Sequence, residues 1–557
     1  MYRTFAAPFP RHIEPDEVPG EVERLKRAMA ATREQIEELK RRISGQTGTE
    51  HADIFDAHLL VLEDRTIMDE VLRRLHGEHL SVEHLYHEVM RRYIDSLRRI
   101  DDPYLRERVI DIEDVTQRMI RNLRGDGHEG PRRDGEHVLI GHDLTPSDTA
   151  VLDPNSVLGF ATEVGSATSH TAIMARSMNI PAVVGLTDLR RRLQPGQEVL
   201  IDGIEGLVIL NPSDETKLEY KGRKNLRAEL DLKLGRLRDK RAETKDGRSY
   251  ILSANIEFNH ELATAKAGGA QGVGLYRTEF GFLNDPDASE DVMAAVYTEA
   301  VEQLAPETVI FRTLDVGGDK IIQDTEAIDD PNPFLGWRGI RVSLQEPTAF
   351  RRQIRAILRA AAHGPAGIMF PMVSDVHEVR EARRMVEQCA AELEAEGLPC
   401  GRDIEVGIMI EVPSAALSAD VLAREVDFFS IGTNDLVQYT LAVDRLNERV
   451  SHLYRATHPS VLQLMEWVVE AGHRHGIWVG VCGEMAGDLD LVPLMIGLGL
   501  DELSVAAGQL PRVKHALRCL KFKDCQTMLQ EALASGDVDQ VARMTQETAR
   551  AAYPELF

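Results

Sequence analysis

The chain has 557 residues, of which 43% are hydrophobic and 28% are charged, and its formal net charge is -26. This length allows several hydrophobic cores, and typical domain sizes predict roughly three domains. The acidic balance argues against a nucleic-acid partner, because the phosphate backbone would be repelled. An anionic substrate would have to be attracted by a local group of arginines.

Cysteine usage and hydropathy exclude two further classes of protein. The five cysteines form no Cys-x-x-Cys pair and show no zinc spacing: Cys389, Cys400, Cys482, Cys519 and Cys525. An odd count of this kind indicates a reducing compartment. No apolar run approaches the ~20 residues that a membrane helix requires, and the first residues lack the apolar core of a secretion signal. The sequence therefore predicts a cytoplasmic protein without membrane insertion.

Residues 1–127 are predicted to form a helical module. Apolar residues recur at helical spacing from about residue 20 to 125, beginning with Val22, Leu25, Met29 and Ile36. Short polar breaks separate the stripes, which predicts an antiparallel bundle of about four helices. Such a module could dock a partner protein, or it could be a scaffold or the arm of a coiled-coil dimer.

Residues 128–212 are predicted to form a compact α/β domain, because short apolar runs alternate with turns. The predicted strands lie at 138–140, 156–160, 182–184, 198–201 and 207–210, with a helix from about residue 171 to 178. The charged segment 213–247 has little apolar periodicity and is predicted to be a linker helix between domains.

Residues 248–557 show strand-like runs that alternate with helix-like runs eight times. The strand-like runs are 250–257, 272–277, 308–314, 367–373, 405–412, 427–432, 478–483 and 502–506. This alternation predicts a (β/α)8 barrel of the TIM type, in which the chemistry occurs at the carboxyl ends of the strands.

Polar residues lie at or near the carboxyl ends of several predicted strands. Glu411 and Asp435 could form a hard-oxygen pocket suited to Mg2+, although most single carboxylates cap helices or form salt bridges. Arg277, Arg312 and Arg445 could together bind a compact polyanion such as a phosphorylated small acid, although each alone could be a surface ion pair.

Four further residues have two open interpretations each. Arg338 and Arg341 add positive charge in an adjacent loop, or they form structural ion pairs. Cys482, beside Gly483, could transfer a proton to a ligand, or it could be a small core hydrophobe. His170 precedes a predicted helix, where an imidazole could carry a phosphoryl group, or it could be a helix-capping or core histidine.

The chain resembles Enzyme I, the phosphoenolpyruvate-protein phosphotransferase family, from about residue 20 to 545. Five motifs carry this resemblance: Thr-Ser-His-Thr-Ala-Ile-Met-Ala-Arg (168–176), Gly-Leu-Tyr-Arg-Thr-Glu-Phe (274–280), Asn-Pro-Phe-Leu-Gly-Trp-Arg (332–338), Asp-Phe-Phe-Ser-Ile-Gly-Thr-Asn-Asp-Leu (427–436) and Gly-Val-Cys-Gly-Glu-Met-Ala-Gly (480–487). The resemblance implies a helical bundle inserted in a phosphohistidine α/β domain, followed by the barrel.

The resemblance also implies roles for individual residues. His170 would be the phosphohistidine, bonded through Nε2, and Cys482 would be the proton donor. Glu411 and Asp435 would be ligands of Mg2+. The phosphoenolpyruvate contacts would be Arg277, Arg312, Asn434, Asp435 and Arg445. The resemblance further implies that a small carrier protein, HPr, docks on the helical module and receives the phosphoryl group, and that the protein is a homodimer through its barrel.

Two rival interpretations have different consequences. Pyruvate phosphate dikinase and phosphoenolpyruvate synthase phosphorylate the corresponding histidine from ATP, but only 169 residues precede His170 and they contain no Gly-rich phosphate loop. A regulatory protein could keep the fold and lack turnover, yet every reacting residue of the motifs is present.

Overall fold

The computed structural model describes residues 8–47, 61–97, 103–125, 135–142, 156–165, 180–194, 196–285, 287–317, 335–445 and 449–557, together with the isolated positions 55, 58, 59, 144 and 447. The chain divides into two compact units, Met1–Lys224 and Asn225–Phe557. Among the described residues, no helix combines the length and the apolar character needed to cross a membrane.

Four long helices occupy the first part of the first unit. They are α1 (Val18–Thr47), α2 (Arg65–Glu78), α3 (Val82–Leu97) and α4 (Pro103–Arg124). Their apolar stripes meet in one core that includes Leu25, Ile36, Leu75, Tyr86 and Met119, all of which are buried. The predicted helical module is therefore confirmed.

Polar side chains fix the starts of two of these helices. Asp64 precedes α2, and its Oδ1 accepts hydrogen bonds from the backbone N–H groups of Thr66 and Ile67. The buried Glu21 of α1 accepts a hydrogen bond of 3.0 Å from the backbone N–H of Val82, at the start of α3. Each carboxylate satisfies N–H groups that a helix start leaves without a partner.

A small α/β region follows in the same unit. The strands β1 (His137–Gly141), β2 (Val157–Thr162) and β3 (Ala182–Val183) form a parallel sheet in that order, and β4 (Val199–Asp202) pairs antiparallel with β5 (Leu207–Leu210). All five predicted strands are present. His170 and the predicted helix at 171–178 lie outside the described residues.

The charged segment after β5 begins with the helix α5 (Asp214–Gly235). This helix is shorter than the predicted linker segment 213–247, whose remaining residues form turns and a short bridge between Glu243 and Ser249. Leu234 is the buried residue of α5, which explains the lack of apolar periodicity in the sequence.

The second unit is a closed barrel of eight parallel strands. The strands, in chain order, are β6 (Ile251–Ile256), β7 (Val273–Arg277), β8 (Val309–Arg312), β9 (Ala366–Phe370), β10 (Glu405–Ile410), β11 (Phe428–Ile431), β12 (Trp478–Val481) and β13 (Glu502–Ala506). Each lies within or beside a predicted run, and β13 closes the barrel by pairing with β6. The predicted (β/α)8 barrel is confirmed.

Helices alternate with these strands along the chain. They are α6 (Glu261–Gly268), α7 (Glu279–Asn284), α8 (Glu290–Leu304), α9 (Ile340–Gln345), α10 (Pro347–Ala360), α11 (Val376–Glu396), α12 (Pro413–Leu417), α13 (Ala419–Leu422), α14 (Thr433–Leu441), α15 (Pro459–His475), α16 (Val492–Leu498) and, after β13, α17 (Leu510–Cys519), α18 (Phe522–Ser535) and α19 (Val538–Ala552). Short 3-10 helices lie at Glu484–Ala486, Ala507–Gln509 and Pro554–Leu556.

Large side chains fill a second, smaller core of the barrel unit. It contains Leu275, Ile310, Met369, Met409, Phe428 and Cys482, and Trp478 packs against it. The rings of Phe428 and Trp478 are stacked, with centroids 4.4 Å apart and planes 7° from parallel. Gly407 faces the Phe428 ring so closely that an added Cβ would overlap it, so only glycine fits at this position.

Candidate active site at the barrel mouth

The polar residues singled out in the sequence are positioned by the carboxyl ends of the barrel strands. Arg277 and Arg312 are the last residues of β7 and β8, Glu411 directly follows β10, and Cys482 directly follows β12. Because all eight strands are parallel, these ends open on one mouth.

Three carboxylates meet in this mouth. One oxygen from each of Asp315, Glu411 and Asp435 lies within 4.8 Å of the others. The sequence predicted Glu411 and Asp435 as a pair but did not single out Asp315. A signal was available, because Asp315 is three residues beyond Arg312, at the same strand end.

Glu411 is the most enclosed of the three, at 1% exposure. Its Oε1 accepts a hydrogen bond of 2.6 Å from the backbone N–H of Met372, a residue held in the left-handed region at φ 58°. Burial, together with the negative charges of Asp315 and Asp435, raises the pKa of Glu411 well above its ordinary value. A cation between the three carboxylates would relieve this repulsion.

Two arginines flank the carboxylates, Arg312, which is buried, and Arg338, which is partly buried. Arg312 forms ion pairs with Glu279 and, at 2.9 Å, with Asp315. Arg338 donates to both oxygens of Asp315, at 3.2 and 2.9 Å, and its Nη2 lies 3.5 Å from Asp435 Oδ2. Burial favours neutral Asp315, but the two arginines outweigh it and lower the pKa of this carboxyl.

These contacts decide between the two interpretations of Arg338, which does form structural ion pairs. They place it at the mouth as well, where its Nη1 also lies 3.3 Å from the hydroxyl of Tyr439. Arg341 instead donates to the backbone oxygen of Gly336 at 2.9 Å. The guanidinium of Arg338 is therefore a part of the mouth, whereas Arg341 braces the neighbouring loop.

The donor set of Asp315, Glu411 and Asp435 fits a divalent cation of the Mg2+ type. Carboxylate oxygens are the ligands that hard cations prefer, and Mg2+ usually takes one or two carboxylates and keeps other positions for water or substrate. Asp315 is already engaged by Arg312 and Arg338. Asp435 has one longer arginine contact, of 3.5 Å, so Glu411 and Asp435 are the carboxylates more available to a cation.

Asn434 and Arg445 meet on a shared carboxylate. Asn434 donates to Glu484 Oε1 at 3.0 Å and accepts from the Glu484 backbone N–H at 3.0 Å, while Arg445 Nη1 lies 3.4 Å from the same Oε1. The hydroxyl of Tyr454 donates to the Asn434 backbone oxygen at 3.2 Å. Glu484, which the sequence did not single out, therefore links the start of α14 to the 3-10 helix that follows β12.

Cys482 lines a cleft of about 740 Å3 together with Arg277 and Glu484. Its side chain is 3% exposed, and its Sγ lies 3.8 Å from the backbone oxygen of Ile431. Burial raises the pKa of the Cys482 thiol to about 11. The sulfur therefore carries its proton at neutral pH.

Asn255 holds the backbone at this cysteine. Its Nδ2 donates to the Cys482 oxygen at 2.9 Å, and its Oδ1 accepts from the Ser504 hydroxyl at 2.7 Å. Two further lining residues of the cleft, Arg277 and Glu257, pair at 3.0 Å. The structure thus brings all the predicted barrel residues to one mouth, while His170 lies outside the described residues.

Arginines and a carboxylate pocket lie together at the mouth of a (β/α)8 barrel, an arrangement typical of enzymes that bind a compact anion. The sequence matches the families described as "PEP-utilising enzyme, PEP-binding domain" over residues 232–522, "PEP-utilising enzyme, N-terminal" over 3–108 and "PEP-utilising enzyme, mobile domain" over 134–206. The chain belongs to the phosphoenolpyruvate-protein phosphotransferase family of PEP-utilising enzymes.

Two relatives illustrate this membership. The "Phosphoenolpyruvate-protein phosphotransferase" of Priestia megaterium is 41% identical over 96% of this chain and 93% of its own length. That of Bacillus subtilis (strain 168) is 41% identical over 95% of this chain and 93% of its own length. A solution structure of Enzyme I (nEIt) is 38% identical, covers 40% of this chain and 90% of its own, and has a TM-score of 0.35.

Proposed function

We propose that the protein transfers the phosphoryl group of phosphoenolpyruvate to its own His170, releases pyruvate, and passes the group on to a histidine of an HPr-type carrier protein. The observation that carries the proposal is the mouth, where a carboxylate pocket, several arginines and a protonated, buried thiol come together. These groups match the reaction's needs for charge neutralisation and for an acid.

The arginines and Asn434 bind the substrate in this scheme. Arg277, Arg312 and Arg445 offer planar forks to the phosphate and carboxylate groups. Arg312 is pre-oriented, because Glu279 and Asp315 hold its guanidinium from two sides. Asn434 is likewise held by Glu484, so little side-chain ordering is left for substrate binding to bring about.

Glu411 and Asp435 would hold Mg2+, which supplies neutralisation of the charge on the transferring phosphoryl group. Asp315 keeps Arg312 and Arg338 at the edge of this pocket. Metal binding at these residues would also offset the repulsion between the buried Glu411 and the two neighbouring carboxylates, Asp315 and Asp435.

The proposed reaction has two steps, phosphoryl transfer and protonation of the enolate. The bond between phosphorus and the enol oxygen breaks while a bond forms between phosphorus and Nε2 of His170, which leaves the enolate of pyruvate. The Cys482 Sγ then gives its proton to the methylene carbon, and the resulting thiolate recovers a proton from water. The flanking Asn255 hydrogen bond keeps the Cys482 backbone in place for this step.

The proposal is tested by incubating the protein with phosphoenolpyruvate labelled in its phosphate, in the presence of Mg2+. We expect acid-labile label on the protein, equal amounts of pyruvate in the first turnover, and loss of both when His170→Ala is used. A matched control is His142→Ala in the same α/β region, an exposed histidine paired with Glu163 at 2.8 Å, which should still be labelled.

Two outcomes would contradict the proposal. Labelling by ATP but not by phosphoenolpyruvate would favour the dikinase and synthase type of reaction. A protein that binds phosphoenolpyruvate and Mg2+ but never releases pyruvate would favour a regulatory protein without turnover. Transfer of label from the phosphorylated protein to a purified HPr-type protein tests the carrier step.

The proposed domain organisation assigns a task to each segment. Residues 1–127 would dock the carrier, 128–212 would carry the phosphohistidine, 213–247 would link the two units and 248–557 would bind phosphoenolpyruvate and form a homodimer. Sedimentation at several protein concentrations tests the dimer. The five cysteines are all unpaired thiols, which supports the expectation of a reducing, cytoplasmic environment.

A further inference from the structure

A second group of possible metal ligands lies near the end of the chain, beyond the last residue of the barrel mouth in sequence. His515 and Cys519 are four residues apart on α17, and Glu555 lies in the 3-10 helix Pro554–Leu556. One ligand atom of each lies within 4.8 Å of the other two. Residues four apart on a helix share one face, so both α17 side chains point toward the same turn.

We propose that His515, Cys519 and Glu555 form a binding site for a borderline-soft divalent cation of the Zn2+ type. The three residues supply a nitrogen, a sulfur and an oxygen, the ligand types that Zn2+ takes in proteins. A hard cation such as Mg2+ would not be expected here, because thiolate and imidazole are poor ligands for it.

The distances support this donor set. Two ligands bound to one tetrahedral Zn2+ at bond lengths of about 2.0 to 2.3 Å lie about 3.5 Å apart. The distance from Cys519 Sγ to His515 Nε2 is 3.6 Å, which already meets this requirement. His515 Nε2 and Glu555 Oε1 are 2.6 Å apart in a hydrogen bond, so the carboxylate alone would have to move outward by about 1 Å to admit the ion.

The backbone of the site is held while its side chains remain accessible. Tyr553 and Leu556, on either side of Glu555, are buried, and the Tyr553 hydroxyl donates to the Leu489 oxygen at 2.7 Å. The Glu555 side chain is 46% exposed, which leaves it free to make the small outward movement and leaves an open position for water. Three protein ligands and one open position are a common zinc arrangement.

Two cationic residues lie near the site and bear on its affinity. Lys233 of α5 adds positive potential at Glu555, which weakens the attraction for a cation. The Arg518 guanidinium is engaged elsewhere, because its Nη1 donates to the Arg241 backbone oxygen at 2.6 Å. We therefore expect binding to depend on the thiolate and imidazole bonds more than on long-range charge.

The test uses the full chain, freed of metal with a chelator and then held in excess Mg2+ so that the barrel mouth is supplied with its own cation. Titration with Co2+ should produce a thiolate-to-cobalt charge-transfer band that saturates at one ion per chain. Zn2+ should displace the Co2+ and raise the midpoint of thermal unfolding, because the ion joins α17 to the chain end.

Variants separate this site from other thiols and histidines. Cys519→Ser should abolish the band, and Glu555→Gln, on the surface, should weaken Co2+ binding by at least about tenfold. Two controls should bind like the parent: Cys400→Ser, another partly buried thiol, and His473→Gln, whose imidazole pairs with Asp501 at 2.9 Å without a thiol. A band that survives in Cys519→Ser, or no saturation at one ion, would overturn the proposal.

Discussion

Replacing the buried Glu502 with glutamine should stabilise the barrel, and the gain should grow with pH. Glu502 begins β13, is 5% exposed, and its Oε2 has no hydrogen-bond partner within the described part of the chain. Burial, with the nearby charge of Glu405, raises its pKa from 4.5 to about 7. The folded barrel therefore prefers the neutral acid, whereas the unfolded chain ionises earlier.

The direction and the magnitude of this pH dependence follow from the linkage between proton binding and folding. Below the unfolded pKa of 4.5 the group is neutral in both states and costs nothing, whereas above the folded value of about 7 the penalty is fully developed. A difference of about 2.5 pKa units at 1.36 kcal/mol per unit corresponds to a penalty of about 3 kcal/mol. At about pH 5.5 the same relation leaves a penalty of about 1 kcal/mol. The advantage of Glu502→Gln should therefore increase by about 2 kcal/mol between about pH 5.5 and 8.5.

Urea unfolding followed by tryptophan fluorescence measures this difference. The three tryptophans, Trp337, Trp467 and Trp478, all belong to the second unit, so their signal reports that unit. Glu307→Gln, at an exposed turn before β8, is the matched control and should not change the pH dependence. A Glu502→Gln advantage that is constant across this pH range would refute the reasoning, because a fixed packing effect of the amide does not titrate.

Three further predictions concern the mouth and the barrel core. Cys482→Ala should slow pyruvate formation by about 100- to 10,000-fold with little change in the affinity for phosphoenolpyruvate; a large loss of affinity with unchanged turnover would contradict the acid role. Glu411→Gln keeps an acceptor for the Met372 N–H but removes a negative charge. Half-maximal labelling should therefore need at least about tenfold more Mg2+. The metal-free variant should unfold at a urea concentration no lower than the parent protein does. Gly407→Ala should destabilise the barrel by about 1 to 3 kcal/mol in the same fluorescence assay, because the added methyl group overlaps the Phe428 ring. The control is Gly508→Ala, whose methyl group meets nothing within 4 Å and should cause no such overlap.

The sequence predicted most of the mouth because strand ends are local features. Arg277, Arg312 and Glu411 stand at the ends of apolar runs, and parallel strands of a closed barrel bring such ends together. The sequence did not predict Asp315, Glu279 or Glu484. Their positions in the mouth depend on which loop residues turn inward, and no apolar pattern records that choice.

The group formed by His515, Cys519 and Glu555 shows, over a longer distance, that the sequence does not reveal which residues meet in space. His515 and Cys519 are close in sequence, and their spacing of four could have been read as two ligands on one helix face. Glu555 is thirty-six residues beyond Cys519 by its number in the sequence. It arrives beside them only because the buried Tyr553 and Leu556 fix the path of the last turn.

By itself, the sequence determined the order of the elements, the barrel class and the residues able to carry the chemistry. The reason is that strands buried within a barrel are continuous apolar runs, whose ends can be read without knowing the fold. The tertiary structure alone decided the charge states and partners of those residues. Two carboxylates, Asp315 and Glu411, and the two arginines beside them acquire shifted pKa values and fixed partners only when barrel closure brings them together.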